Sequence, residues 1–227
     1  MNRRKQTLER VWLWFFPRRC VWCMGVTRPL ATLCPDCETQ AAPHSTAPSL
    51  LEGTQIPLVS AFDYHSRASR ILLNLKFHGG HKYAHSIGYA MGDAMLAACL
   101  PDKPEQWLFC CVPMTAAQVK ARGYNQSELI AKAAARWVGA AYAPGLLRKL
   151  RETQAQHDLP AALRRENVDG AFAAAQPDKI VGQSVVLCDD ICTTGATLRA
   201  CVRALEEAGA REVVCLTYLR TELEEPK

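Results

Sequence analysis

The sequence predicts an α/β protein: a parallel sheet flanked by helices, with a small four-cysteine zinc module ahead of it. Three observations carry this reading. From residue 57 onward short apolar runs alternate with amphipathic stretches, the pattern of strand–helix–strand units. Two of those runs, Trp107–Pro113 and Ser184–Asp190, are largely apolar instead of alternating, as strands covered on both faces are. Upstream of them, Cys20, Cys23, Cys34 and Cys37 form C-x2-C-x10-C-x2-C, two knuckles whose thiolates can converge on one tetrahedral ion.

The chain has 227 residues, 49% hydrophobic and 22% charged, which excludes global disorder and suits one α/β domain with a small appendage. No run of about eighteen apolar residues occurs, so no spanning helix is expected. The apolar stretch Val11–Phe16 is too short for a signal-peptide core and no Ala-x-Ala site follows it, so a cytoplasmic location is expected. The six cations and single acid of residues 1–19 account for the whole net charge of +5. Interleaved with Trp12, Trp14, Phe15 and Phe16, they make a basic aromatic arm. Such an arm suits single-stranded nucleic acid, an anionic membrane surface, or packing on its own domain.

Of eleven cysteines, four form the knuckles. All four coordination positions of a Cys20/Cys23/Cys34/Cys37 site would be sulfur, which leaves none for water and makes the ion structural. Gly25, Pro29, Pro35 and Asp36 supply turn chemistry around it. Residues 20–40 are too few to bury a core, so metal binding would provide their folding free energy. The other cysteines lie mostly in apolar stretches, where a free thiol acts as a small hydrophobe. After Cys37 the composition turns small and polar with two prolines, giving a linker over 41–56 before the main domain at 57–221.

Within that domain, 58–64 reads as a strand and 67–77 as a helix presenting Ile71, Leu72 and Leu75. Residues 82–100 form a second helix, ended by Pro101 and Pro104. A strand at 107–113 follows, then a helix over 124–138, a strand at 184–190, a helix over 196–208 ended by Gly209, and a strand at 212–219. Ligands of such sheets sit beyond the carboxyl ends of the strands.

At one of those ends stands Val185-Val-Leu-Cys-Asp189-Asp190-Ile-Cys-Thr193-Thr194-Gly195-Ala196-Thr197. A buried strand delivers two adjacent carboxylates, then the chain turns through hydroxyls and glycine into a helix. The helix-start amides, Ala196 among them, and the Thr193, Thr194 and Thr197 hydroxyls make an anion cradle. Gly195 lets the backbone approach a phosphate. Asp189 and Asp190 would repel that phosphate and suit vicinal sugar hydroxyls, or a divalent cation shared with it. A ribose 5-phosphate satisfies both halves. No G-x4-G-K-[ST] occurs, which argues against nucleoside triphosphate hydrolysis.

This stretch resembles the PRPP-binding signature of type I phosphoribosyltransferases. Val112-Pro113 followed by Lys120-Ala-Arg122-Gly123-Tyr124-Asn125-Gln126-Ser127-Glu128-Leu129 resembles the VP…RGFNQ segment of the ComF/GntX family. Leu75-Lys76-Phe77 and the run from Thr153 to Phe172 add to the likeness, which extends from Cys20 to Tyr218. It implies a type I phosphoribosyltransferase-like domain behind a zinc module, with Met114–Ala117 corresponding to the pyrophosphate loop and Arg122 among the ligand-binding residues. It implies PRPP with Mg²⁺ as ligand, and a role for single-stranded DNA and other competence proteins in natural transformation. The sequence departs from the family between VP and RG, where Thr115-Ala-Ala-Gln118-Val replaces several basic residues and leaves only Lys120 and Arg122.

Three functions follow as expectations. The first is a PRPP-binding protein that assists handling of single-stranded DNA. The second is an active phosphoribosyltransferase on an unknown acceptor, and the third a PRPP-sensing interaction module. His78, His81 and His85 read as surface or capping histidines, since Gly79-Gly80 interrupts a helix between the first two. Arg148, Lys149, Arg151, Arg164 and Arg165 read as a solvated hood or as a path for a polyanion.

Overall fold

A computed structural model describes residues 18–28, 31–40, 48–64, 67–77, 80–152, 168 and 170–221. Six strands form one sheet in the order β1-β2-β8-β7-β3-β4, where β1 is Ser49–Leu50, β2 Pro57–Asp63, β3 Leu108–Cys111, β4 Ala141–Tyr142, β7 Ser184–Cys192 and β8 Glu212–Arg220. Every pairing is parallel except β1 with β2. A separate antiparallel pair joins β5 (Leu147–Lys149) to β6 (Phe172–Ala174).

The apolar runs are central strands because both faces are covered. On β7, Val186 and Cys188 belong to one buried cluster, while Val185 and Leu187 belong to a second on the opposite face. The same alternation runs along β8, with Val214, Leu216 and Tyr218 on one side and Val213 and Cys215 on the other. The first face is covered by helices α2 (Ser69–Phe77), α3 (Ala84–Ala97) and α5 (Gln126–Val138). The second is covered by α6 (Ala196–Glu207) and the β5–β6 pair. Helices α3 and α5 pack closely: a Cβ on Gly88 would lie 2.5 Å from both Ala133 Cβ and the Ile130 carbonyl oxygen. Cys110, Cys188, Cys201 and Cys215 are fully or almost fully buried, as small hydrophobes are.

The expected elements from β2 onward are present with no end moved by more than three residues. Residues 81–83 form a 3-10 turn ahead of α3, and α5 begins at Gln126 because Asn125 caps it, its side chain accepting from the Ser127 amide. The stretch expected as a linker over 41–56 contributes β1, and Leu51 after it is buried. Helix α4 (Ala116–Arg122) begins within Met114–Ala117, the segment expected to be the pyrophosphate-type loop. Its start is set by Thr115 and Gln118, each side chain bonding the other's backbone amide. The expected segment 153–167 and the arm residues 1–17 lie outside the described residues.

The cysteine module is part of the same folded unit. Val21 is fully buried within the cluster that includes α3 and α5, with Trp22, Met24 and Leu33 packed against it. The Arg19 amide donates to Ser86 Oγ at 3.1 Å. Asp93 of α3 accepts from Thr32 Oγ1 and from Trp137 Nε1, both at 2.7 Å. The Arg18 guanidinium lies over the Tyr89 and Trp137 rings at 4.1 and 4.2 Å. The Arg18 cation of the arm therefore packs on the domain. No helix among the described residues is long and apolar enough to cross a membrane.

Candidate functional site

The four cysteines converge. In the first knuckle Arg19 pairs with Val26 across a single β-bridge, and the Cys20 amide donates to the Gly25 carbonyl at 2.8 Å. In the second, Cys34 precedes the short helix α1 (Pro35–Glu38), which returns Cys37 toward it. The four Sγ atoms all lie within 4.8 Å of one another, and Cys23 and Cys34 sulfurs are 3.7 Å apart. Sulfurs around a tetrahedral zinc at about 2.3 Å stand roughly 3.8 Å apart, so the set fits a metal of that size and softness. Cys20, Cys34 and Cys37 are buried and Cys23 is exposed. Burial works against the Cys20 thiolate, but the amides of Cys23, Cys34 and Trp22 outweigh it and bring the thiol down to about 7. Burial and the neighbouring sulfurs push Cys37 up.

Asp189 and Asp190 emerge at the carboxyl end of β7. The chain then bends through Thr193 and Thr194 to Gly195, which caps α6 at φ +68°. The first amides of α6 have no carbonyl to bond within the helix and point toward this turn. Thr194 Oγ1 is shut from solvent and has no hydrogen-bond partner among the described residues, the kind of orphaned hydroxyl that an anion at the turn would satisfy. A cavity of about 600 Å³ opens beside the turn, lined by Asp189, Thr193, Gly195, Ala196, Thr197 and, from α2, Lys76. Exposed Phe77, Leu73 and Tyr64 form its rim.

The acidic pair is held by residues that sequence reasoning had not assigned to the site. Asp190 is buried, and its Oδ2 accepts from Gln126 Nε2 at 2.8 Å and pairs with Lys76 Nζ at 3.0 Å. Asp189 Oδ1 accepts from Ser127 Oγ at 2.7 Å and from the Asp190 amide at 2.9 Å. Arg122 Nη1 donates to Gln126 Oε1 at 2.5 Å, so the structure places Arg122 behind Gln126. Asn125 ties the start of α5 to β3 by donating to the Val112 carbonyl at 3.0 Å. The RGYNQS segment thus forms the bed on which the two aspartates lie. No local pattern marks these residues, since each reaches the pair from more than sixty positions away along the chain.

Burial, then the charge of Asp190, pushes Asp189 up to about 7, against the hydrogen bond from Ser127 and the Lys76 charge. An unfolded aspartate titrates near 3.9. With its folded value raised, the group binds more protons folded than unfolded between the two values, so its contribution to stability is lost as pH rises through about 7. Asp189→Asn keeps an acceptor for Ser127 and removes the titration. Melting curves are expected to show wild type losing stability from about pH 4 to 7 and the variant losing less.

Among the described residues, the histidines read as surface or capping groups do not gather into a metal cluster. His81 lies against the Tyr124 ring at 3.9 Å and His85 near Tyr89 at 6.0 Å, while His78 is outside them. At the head of α4, Thr115 Oγ1 donates to Glu152 Oε1 at 2.6 Å, and Lys120 is exposed.

The family described as phosphoribosyl transferase domain matches residues 139–226. A DNA utilization protein, YhgH, of Salmonella typhimurium is 31% identical over 212 residues, 89% of this chain and 90% of that one. Competence protein ComFC of Streptococcus pneumoniae is 26% identical over 201 residues, 88% and 80% of the two chains. Among solved structures, the glutamine PRPP amidotransferase of B. subtilis complexed with ADP and GMP aligns at a TM-score of 0.38 and 26% identity. That alignment covers 60% of this chain and about a quarter (26%) of the amidotransferase. A mixed, mainly parallel sheet with the matched phosphoribosyltransferase-type domain, a four-cysteine cluster ahead of it and full-length relatives of these kinds lead to one assignment: the chain belongs to the ComF family.

Proposed function

We propose that the protein binds a phosphoribosyl ligand, PRPP or another ribose 5-phosphate, in the Asp189–Thr197 turn, and assists handling of single-stranded DNA during natural transformation in the cytoplasm. The observation that carries the ligand is the turn itself: a left-handed Gly195 opens α6 beside two carboxylates anchored at a strand end. Phosphate at the amides and hydroxyls, with sugar hydroxyls at Asp189 and Asp190, uses both halves of it. One zinc ion on Cys20, Cys23, Cys34 and Cys37 would hold residues 20–40 in shape and supply no chemistry. The DNA role is supported by relatives named for DNA utilization and competence and by the cations of residues 1–19 and 148–165. Other competence proteins are candidate partners.

Single-stranded DNA binding tests this directly. Each neutralised phosphate releases counterions, so four or five contacts should give a slope of log K against log salt of roughly −3. Removing residues 1–17 takes away four cations and the arm's four aromatic rings, and should flatten the slope. Absence of binding at low salt by zinc-loaded protein would remove the DNA role. The second reading, transfer of phosphoribosyl to an unknown acceptor, is favoured by the intact turn and opposed by the lack of cations in Met114–Val119. Nucleobase-dependent release of pyrophosphate would establish it. The third, a PRPP-sensing module, survives only if ligand binds and DNA does not.

A further inference from the structure

Lys76 decides what kind of phosphoribosyl ligand the site takes. It projects from the last turn of α2 into the cavity that Asp189 and the Thr193–Thr197 turn also line. Its ammonium is 3.0 Å from Asp190 Oδ2, an oxygen that also accepts from Gln126. The Lys76 side chain is only 20% exposed and that of Asp190 4%, so this pair is withdrawn from solvent screening. Asp189 turns Oδ1 to Ser127 and to the Asp190 amide. One oxygen of each carboxylate is thus already engaged, that of Asp190 by a fixed positive charge that repels a divalent cation.

The segment that the family resemblance assigns to the pyrophosphate agrees. A pyrophosphate group needs ammonium or guanidinium partners or a metal. Met114–Val119 contains none, and the Thr115 hydroxyl is given to the Glu152 carboxylate. Among the described residues, those of this segment do not fit a metal–pyrophosphate complex.

The geometry points to a ribose 5-phosphate monoester bound without a divalent cation, with the Lys76 ammonium neutralising the acidic pair that a metal would otherwise bridge. This rests on the phosphoribosyl reading of the turn and narrows its ligand class. Lys76 is a positioning residue here: it sets the charge of Asp189 and Asp190, which meet the sugar. An ammonium at that place lowers the repulsion between the carboxylates and an incoming phosphate dianion without supplying a site for the second phosphate of a diphosphate.

The test is calorimetric titration of zinc-loaded, full-length protein with ribose 5-phosphate and with PRPP, each with and without Mg²⁺. Wild type is expected to bind ribose 5-phosphate with an affinity that Mg²⁺ changes by less than about twofold, and PRPP no more than about tenfold more tightly. Lys76→Met should weaken metal-free binding by about tenfold and make Mg²⁺ restore it, while Lys76→Arg should keep binding metal-independent. A merely structural lysine would give Met and Arg variants whose affinities do not respond to Mg²⁺. That outcome, or wild type that binds only Mg²⁺–PRPP, overturns the inference and leaves the phosphoribosyl reading standing. Wild type that binds neither ligand under any of the four conditions overturns both.

Discussion

Gly195→Val is expected to abolish binding of ribose 5-phosphate and PRPP and to lower stability by about 2–3 kcal/mol. Two effects combine. At φ +68° the backbone is left-handed, a conformation costing an ordinary L-residue roughly 1–2 kcal/mol and a β-branched one more. A Cβ there would also meet Leu51 Cδ1 at 2.5 Å. Leu51 is buried and follows the edge strand β1, whose neighbour Glu52 is held by Arg199 Nη1 on α6 at 2.9 Å through its carbonyl. The Leu51 methyl can shift only by repacking a buried position, and the strained φ remains whatever the space. Relief of that strain opens the turn and carries the first amides of α6 out of line with the cavity. Titration calorimetry and a melting curve read the two consequences separately.

Removal of the metal, or Cys20→Ser, is expected to lower the melting temperature of the whole chain by about 10 °C or more in a single transition, equivalent to roughly 3–5 kcal/mol for a protein of this size. The cysteine module looks separable in sequence, since residues 41–56 are small and polar. In the structure its Val21 belongs to the buried cluster of α3 and α5, and Thr32 shares Asp93 with Trp137. Losing the thiolate cage releases Val21 and the Arg18 stack over Tyr89 and Trp137, so damage spreads into the domain. Differential scanning calorimetry showing a small early transition, with the main one unmoved, would contradict this coupling.

The contrast shows which parts of the fold were legible. Strand β7 could be read from Val185, Val186 and Leu187 because a strand covered on both faces needs apolar residues at consecutive positions, a local signal. The cysteine cluster was legible because ligand spacing constrains geometry whatever surrounds it. Strands β1, β4, β5 and β6 are two or three residues each, too short for any period to declare itself, and their pairing is set by partners far along the chain. Helix α4 did carry a signal, Thr115 with Gln118 three residues later, which the loop correspondence obscured. Asp189 and Asp190 were legible as an adjacent acidic pair near a strand end. Lys76, Gln126 and Ser127 were not, because each meets the pair from more than sixty positions away along the chain, and such pairings leave no local pattern.

The central claim, that the Asp189–Thr197 turn holds a ribose 5-phosphate group, is tested most directly by backbone amide chemical shifts of ¹⁵N-labelled, zinc-loaded protein titrated with ribose 5-phosphate. The largest saturating changes are predicted at Thr194, Gly195, Ala196 and Thr197, with smaller ones at Asp189, Asp190 and Lys76, and none of them in Gly195→Val. Saturating changes confined to residues remote from this turn, or equal changes in wild type and Gly195→Val, would contradict it.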